Sequence, residues 1–163
     1  MSEEAIEPWL FRVAAYPEES FGHFLSRFRR ANHLKSSHLS AMLGLKYYAV
    51  AYWEAPSRRR RPSAKDLRVL SRLTGVDVAQ LGLMFASEGT RLYLRTRLCP
   101  LCYGEAPFHK VTWQDANNSQ CDRHQCVLLS ACPRCGSDFQ LPSYWTFGQC
   151  DLCNLPFTEM SSF

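Results

Sequence analysis

The chain has 163 residues, 46% of them hydrophobic and 13% aromatic, and a formal charge of +4. That is ample apolar material for a packed core, which excludes a disordered chain, and the length suits one ordinary domain or two small ones. No run approaches the roughly 18 apolar residues of a membrane span, and residues 1–8 are acidic, so neither a membrane protein nor a secretory signal is expected and the cytoplasm is the expected compartment.

The first predicted element follows Ser20, where Phe21, Phe24, Leu25 and Phe28 repeat at the i, i+3, i+4, i+7 spacing of one helix face. Pro17, Glu18 and Glu19 suit its start and Arg29 and Arg30 its end, by the helix dipole. A shorter helix capped by Ser36 or Ser37 turns Leu39, Met42 and Leu43 inward and stops at Gly44. The aromatic run 47–53 fits helix and strand equally and is left unassigned. Arg58, Arg59, Arg60 and Arg61 then form a basic block, read either as a solvated loop or as a contact with nucleic-acid phosphates.

Beyond the block, Ser63 and Asp66 sit three apart as a weak capping box, and Leu67, Leu70 and Leu73 give the buried stripe of a helix that Gly75 ends. Asp77 can cap a further helix with Val78, Leu81, Met84 and Phe85 facing in. The unit has the spacing of a helix-turn-helix, which reads DNA in some proteins and is simply two core helices joined by a tight turn in others.

All eight cysteines lie at or after Cys99. Four paired motifs follow in order: Cys99-x-x-Cys102, Cys121-x-x-His124, Cys132-x-x-Cys135 and Cys150-x-x-Cys153. Two intervening residues let a tight turn aim both side chains at one tetrahedral ion, and without secretion such pairs indicate metal rather than disulfides. Eighteen residues separate the first two motifs and fourteen the last two, enough for a hairpin that closes each site. Sequential pairing predicts one Zn²⁺ held by Cys99, Cys102, Cys121 and His124 and a second held by Cys132, Cys135, Cys150 and Cys153. Iron also suits the four-cysteine site. Gly136 and Asn154 follow the last ligands of their turns, where a positive φ lets backbone N–H groups approach sulfur. Cys126 is left over and could replace His124, although only His124 keeps the two-residue spacing. Seven thiolates and two Zn²⁺ lower the net charge of the loaded chain to about +1.

The sequence contains no HExxH, GxxxxGK[ST] or GxSxG, and the zinc deaminase pattern is broken by Leu98 and Ala131, so no enzyme is expected. His23, His33 and His38 are read as capping or surface residues.

The order of these motifs resembles the TniQ/TnsD family of transposition proteins. The resemblance rests on Tyr16-Pro17-Glu18-Glu19-Ser20-Phe21, Leu25-Ser26-Arg27-Phe28, Arg97-Leu98-Cys99-Pro100-Leu101-Cys102, Trp113, Cys121-Asp122-Arg123-His124, Leu128-Leu129 and Cys132-Pro133-Arg134-Cys135-Gly136. It implies a non-catalytic partner of a TnsC-like AAA+ ATPase regulator, with the transposase reached indirectly. The chain stops ten residues after Cys153, short of the large C-terminal region of longer relatives. It is therefore similar to the short TniQ proteins of CRISPR-associated transposons, type V-K among them, in which an RNA-guided effector with its guide RNA selects the target DNA. The alternative is a small helix-turn-helix and zinc-finger regulator that binds DNA without an ATPase.

The expected architecture is a mainly α helical domain with a helix-turn-helix over residues 1–90, followed over 91–163 by two small zinc-ribbon or zinc-finger modules of low strand content. Trp9, Phe11, Tyr47, Tyr48, Tyr52 and Trp53 are candidate partner-binding aromatics, with core packing as the competing reading.

Overall fold

A computed structural model of the chain describes residues 10–56 and 61–163. It is mostly helical, and strand pairing among the described residues is confined to isolated antiparallel bridges.

Helix α1, Phe21–Ala31, forms on the predicted stripe, and Phe21, Phe24, Leu25 and Phe28 are all buried. Helix α2, Ser36–Met42, takes Lys35 rather than a serine as its N-cap, and the chain turns beyond it at Gly44. The ambiguous aromatic run resolves into helix α3, Ala49–Trp53. Val50 and Trp53 are buried one turn apart, and the Val50 N–H donates to the buried Ser40 Oγ at 3.1 Å, which ties α3 to α2.

Helix α4, Ala64–Thr74, has the capping box the sequence suggests. The Ser63 side chain accepts from the Asp66 N–H, and the Asp66 carboxylate accepts from the Ser63 N–H at 2.9 Å. Gly75 ends the helix at φ +74°, a left-handed conformation that costs glycine nothing. A turn over 75–77 leads into helix α5, Val78–Leu83, where Asp77 occupies the N-cap position without a side-chain cap bond. These helices close around Leu10, Phe24, Leu39, Leu70, Leu73 and Leu81.

The remainder of the chain forms a second core. It contains helix α6, Pro100–Glu105, and the 3₁₀ segments Val111–Gln114, Pro142–Tyr144 and Phe157–Ser162. Trp145 and Phe157 meet edge to face at 4.8 Å, and Tyr103 and Phe139 each pack on Phe157. Both cysteine clusters border this single aromatic core. Arg97 is buried, and among the described residues no carboxylate forms an ion pair with it. Its guanidinium donates instead to three backbone carbonyls, those of Trp113, Asp115 and Asn118, and lies over the Tyr93 ring.

The two cores meet along a polar and aromatic seam that begins just before α1 and follows that helix to Arg30. Tyr16 stacks on Phe108 at 4.7 Å, and Glu18 pairs with Lys110 at 3.2 Å and accepts the Val111 N–H through its carbonyl. The Ser20 N–H donates to the His109 carbonyl at 2.8 Å, and Arg30 donates to the Ser143 carbonyl at 3.0 Å.

The seam corrects two readings of the sequence. His23 is neither a cap nor a surface residue: it is 1% exposed and its Nδ1 lies 2.5 Å from Glu19. Glu19, beside the N-cap of α1, is not a solvent-facing charge. It is fully buried, where it also accepts two bonds from Arg27. Burial by itself would raise the Glu19 pKa, but hydrogen bonds from His23 and Arg27 outweigh it and hold the carboxylate below its ordinary range. His33 and His38 are exposed, and His33 adopts a positive φ just past the end of α1. No helix among the described residues is long and apolar enough to cross a membrane.

Candidate metal centres

The two cysteine clusters are built from different local structures. In the first, Cys99 is the N-cap of α6, with Pro100 preset for the first helical turn, and the Cys102 N–H points at Cys99 Sγ from 3.4 Å. Opposite this helix end stands a knuckle carrying Cys121 and His124. In the second cluster two knuckles face each other, one with Cys132 and Cys135 and one with Cys150 and Cys153.

All three knuckles have the same backbone bonding. The first ligand's N–H donates to the carbonyl five residues on (Cys121 to Cys126, Cys132 to Ser137, Cys150 to Leu155). The residue after the second ligand donates back to the first ligand's carbonyl. That residue takes a positive φ each time: Gln125 at +54°, Gly136 at +75° and Asn154 at +58°. Gln125 is absent from the sequence reading because its side chain does not signal the conformation. Its place after the second ligand does.

The ligand atoms of each cluster lie within 4.8 Å of one another. In the first, Cys102 and Cys121 sulfurs are 3.4 Å apart, and His124 Nδ1 lies 3.3 Å from Cys102 and 3.6 Å from both Cys99 and Cys121. In the second, Cys132–Cys153 and Cys135–Cys150 are each 3.6 Å. With metal–sulfur bonds of about 2.3 Å and metal–nitrogen bonds of about 2.0–2.1 Å, a regular tetrahedron has edges of about 3.8 Å between sulfurs and about 3.6 Å between sulfur and nitrogen. The donor sets therefore fit Zn²⁺, and both clusters are compatible with two zinc ions per chain.

The thiols of the two clusters differ in acidity for reasons the fold supplies. At Cys121 and Cys150 burial pushes upward, but knuckle N–H groups and neighbouring side chains reverse it, lowering the thiols to about 7 and about 6. Cys102 is raised to about 11, chiefly by burial, and burial drives Cys99 higher still.

Two supporting side chains escape the sequence reading. Glu105, at the end of α6, bonds His124 Nε2 at 3.0 Å, leaving Nδ1 to face the sulfurs, and also pairs with Arg123 at 3.1 Å. Ser137 places its hydroxyl 3.1 Å from Cys135 Sγ and 3.3 Å from Cys150 Sγ. Cys126 occupies the same knuckle position as Ser137, with its sulfur 3.5 Å from Cys99, and stands outside the tetrahedral set.

A family model described as TniQ matches residues 10–128, which take in the helical core, most of the seam and the whole first cluster. The chain belongs to the TniQ family. As a TniQ protein it is transposition-associated. The second cluster, 132–153, lies beyond the matched residues. No curated protein matches the chain.

The other candidate residues of this TniQ protein are scattered. Trp9, Arg58, Arg59 and Arg60 fall outside the described residues. The Arg61 guanidinium donates to the Ala86 carbonyl and lies 5.3 Å over the Phe85 ring. Phe11 and Tyr47 are exposed, at 72% and 75%, whereas Trp53 is part of the helical core at 8%. Tyr48 is half-buried between Tyr47 and Tyr52, meeting each edge to face at about 5 Å. A cleft of about 540 Å³ near the seam is lined by Phe21, Trp53, Arg61, Phe85, Glu88 and Arg91 among others, and neither histidine nor cysteine lines it.

Proposed function

We propose that this TniQ protein is a non-catalytic adaptor in RNA-guided DNA transposition. It links the target-site complex, a CRISPR effector with its guide RNA, to a TnsC-like AAA+ ATPase regulator, and two Zn²⁺ ions stabilise the zinc-binding half. The observation that carries the non-catalytic part is the closure of both ligand sets. Four protein ligands fill a tetrahedron, so neither ion keeps a position for a substrate or an activated water. The ions would supply structure: charge neutralisation of buried thiolates and a fixed relation between α6 and the knuckles.

The adaptor part rests on family membership together with the rigid joining of two cores, which holds two surfaces at a set distance. When one molecule grips two partners, the second contact becomes effectively intramolecular, and modest surfaces then suffice. Phe11 and Tyr47 are exposed and Tyr48 and Tyr52 half-buried on the helical side, which we assign to the ATPase, with the zinc side facing the effector or its RNA. Target DNA is met mainly through the assembly.

A reconstituted insertion assay tests the proposal. Guided insertion should fall to background without this protein and return when it is added. Undiminished and equally accurate insertion in its absence refutes the adaptor role. An operator-specific footprint by the protein alone would identify it instead as a DNA-binding regulator.

A further inference from the structure

The positive charge of this chain is not spread evenly along its sequence. Residues 58–72 hold seven of the 19 basic residues and only one of the 15 acidic ones, which leaves twelve basic against fourteen acidic elsewhere. Seven thiolates and two Zn²⁺ make that remainder more negative still, by about three charges. Outside this segment many cations are occupied: Arg27 by Glu19, Arg29 by Glu54, Arg95 by Asp138, Lys110 by Glu18 and Arg123 by Glu105. Within it the sole acid, Asp66, is held by Ser63 in the capping box.

Helix α4 arranges part of this charge in a line. Lys65, Arg68 and Arg72 are exposed and stand at i, i+3 and i+7, a single stripe about 10 Å long at 1.5 Å per residue, opposite the buried Leu70 and Leu73. Among the described residues no carboxylate forms an ion pair with Lys65 or Arg68. Arg61, bonded to Ala86 and laid over Phe85, fixes the point at which the chain enters this helix.

We propose that the Lys65–Arg68–Arg72 face of α4 is a binding site for the phosphate backbone of a nucleic-acid duplex, without sequence readout. Three observations favour a duplex over an acidic protein surface. The cations form a straight row, as phosphates along a strand do. Guanidinium groups suit phosphate oxygens, which they can bond bidentately. Of the residues beside the stripe, Ala64 and Ser71 are small and Val69 is partly buried against the helical core, so none offers a large apolar anchor of the kind that dominates protein–protein binding. The following helix explains the lack of sequence readout. In helix-turn-helix docking the first helix crosses the backbone and the second reads bases. Here the exposed side of α5 presents Ala79, Gln80, Gly82 and Leu83, with no cation. The inference concerns the free protein and does not depend on the effector or the ATPase.

The test uses the full, zinc-loaded chain and fluorescein-labelled DNA and RNA duplexes of arbitrary sequence, followed by anisotropy between 50 and 200 mM salt. On duplex DNA each phosphate contact contributes about 0.9 to the salt slope. Lys65→Ala/Arg68→Ala/Arg72→Ala should therefore lower its magnitude by about 2.7, equivalent to about a 40-fold smaller loss of affinity across that salt range. Lys65→Arg/Arg68→Lys/Arg72→Lys should keep the slope, and Lys35→Ala/Lys46→Ala/Arg91→Ala, which removes the same charge elsewhere, should change it little. Zinc content and circular dichroism report folding of each variant. A preference for the DNA or the RNA duplex, abolished by the triple alanine variant, identifies which backbone the site serves. Equal losses from both alanine triples, or an unchanged slope in the α4 triple, overturn the proposal. Unaltered duplex binding with loss of ATPase capture also overturns it, and makes the stripe a protein-docking face.

Discussion

Ser20 Oγ lies 2.9 Å from Nδ1 of His109, and the backbone N–H of the same serine donates to the backbone carbonyl of the same histidine. One residue of the helical core thus binds both ends of one residue of the cysteine-rich core, inside a seam where both are buried. The segment Tyr16–Phe21, which carries the family resemblance, is largely this seam: Tyr16, Glu18 and Ser20 each have a partner among residues 108–111.

Ser20→Ala should destabilise the whole chain rather than one half. It strips a buried imidazole nitrogen of its partner at a cost of about 1–3 kcal/mol. Chemical denaturation followed separately by tryptophan fluorescence and by zinc release checks this. The two signals should shift together, and a shift in only one would show that the cores unfold independently.

Acidification should loosen the seam. His109 is wholly buried, and burial drives its pKa well below the ordinary histidine value; the charges of His23 and Arg97 act in the same direction. The unfolded chain therefore binds a proton that the folded chain refuses. Stability is complete above the unfolded pKa of about 6.5 and falls by up to about 1.4 kcal/mol per pH unit below it. His109→Gln should reduce the pH dependence between pH 7 and 5.5 while lowering stability at pH 7.5. A wild-type stability that is flat over this range would contradict a neutral buried His109.

Metal analysis should return two zinc ions per chain. Cys126→Ser should retain both, because its sulfur stands outside the set, while Cys121→Ser and Cys135→Ser should each lose one. Equal loss in all three variants would make the ligand assignment wrong. Loading the apoprotein near pH 7 should release protons, since Cys99 and Cys102 hold theirs well above that pH in the metal-free cluster. A pH-indicator titration with Zn²⁺ measures the release directly.

Glu105→Gln should weaken zinc at the first cluster by about 10–100-fold and leave the second unchanged, because only His124 depends on that carboxylate for its orientation. Competition with a chromophoric chelator resolves the two sites. Equal weakening of both would indicate general unfolding rather than a local positioning effect.

The sequence alone determined the helices with strong periodicity and which side chains gather into the two candidate metal clusters. Both are local codes: α1 follows from apolar spacing over two turns, α4 from Ser63, Asp66 and Gly75, and the ligand sets from pairs separated by two residues. The aromatic run 47–53 stayed ambiguous because so short a stretch fits either period. It became helix α3 once Val50 and Trp53 had α1 and α2 to pack on. Tertiary structure alone decided that Glu19 and His23 are a buried pair, that Glu105 supports His124, that Arg97 ties three carbonyls together and that the two halves share a seam. Ser20 and His109 are 89 residues apart, and nothing in the spacing around either points to the other. A buried polar group must find a partner somewhere, but which partner it finds is fixed only when the chain has folded.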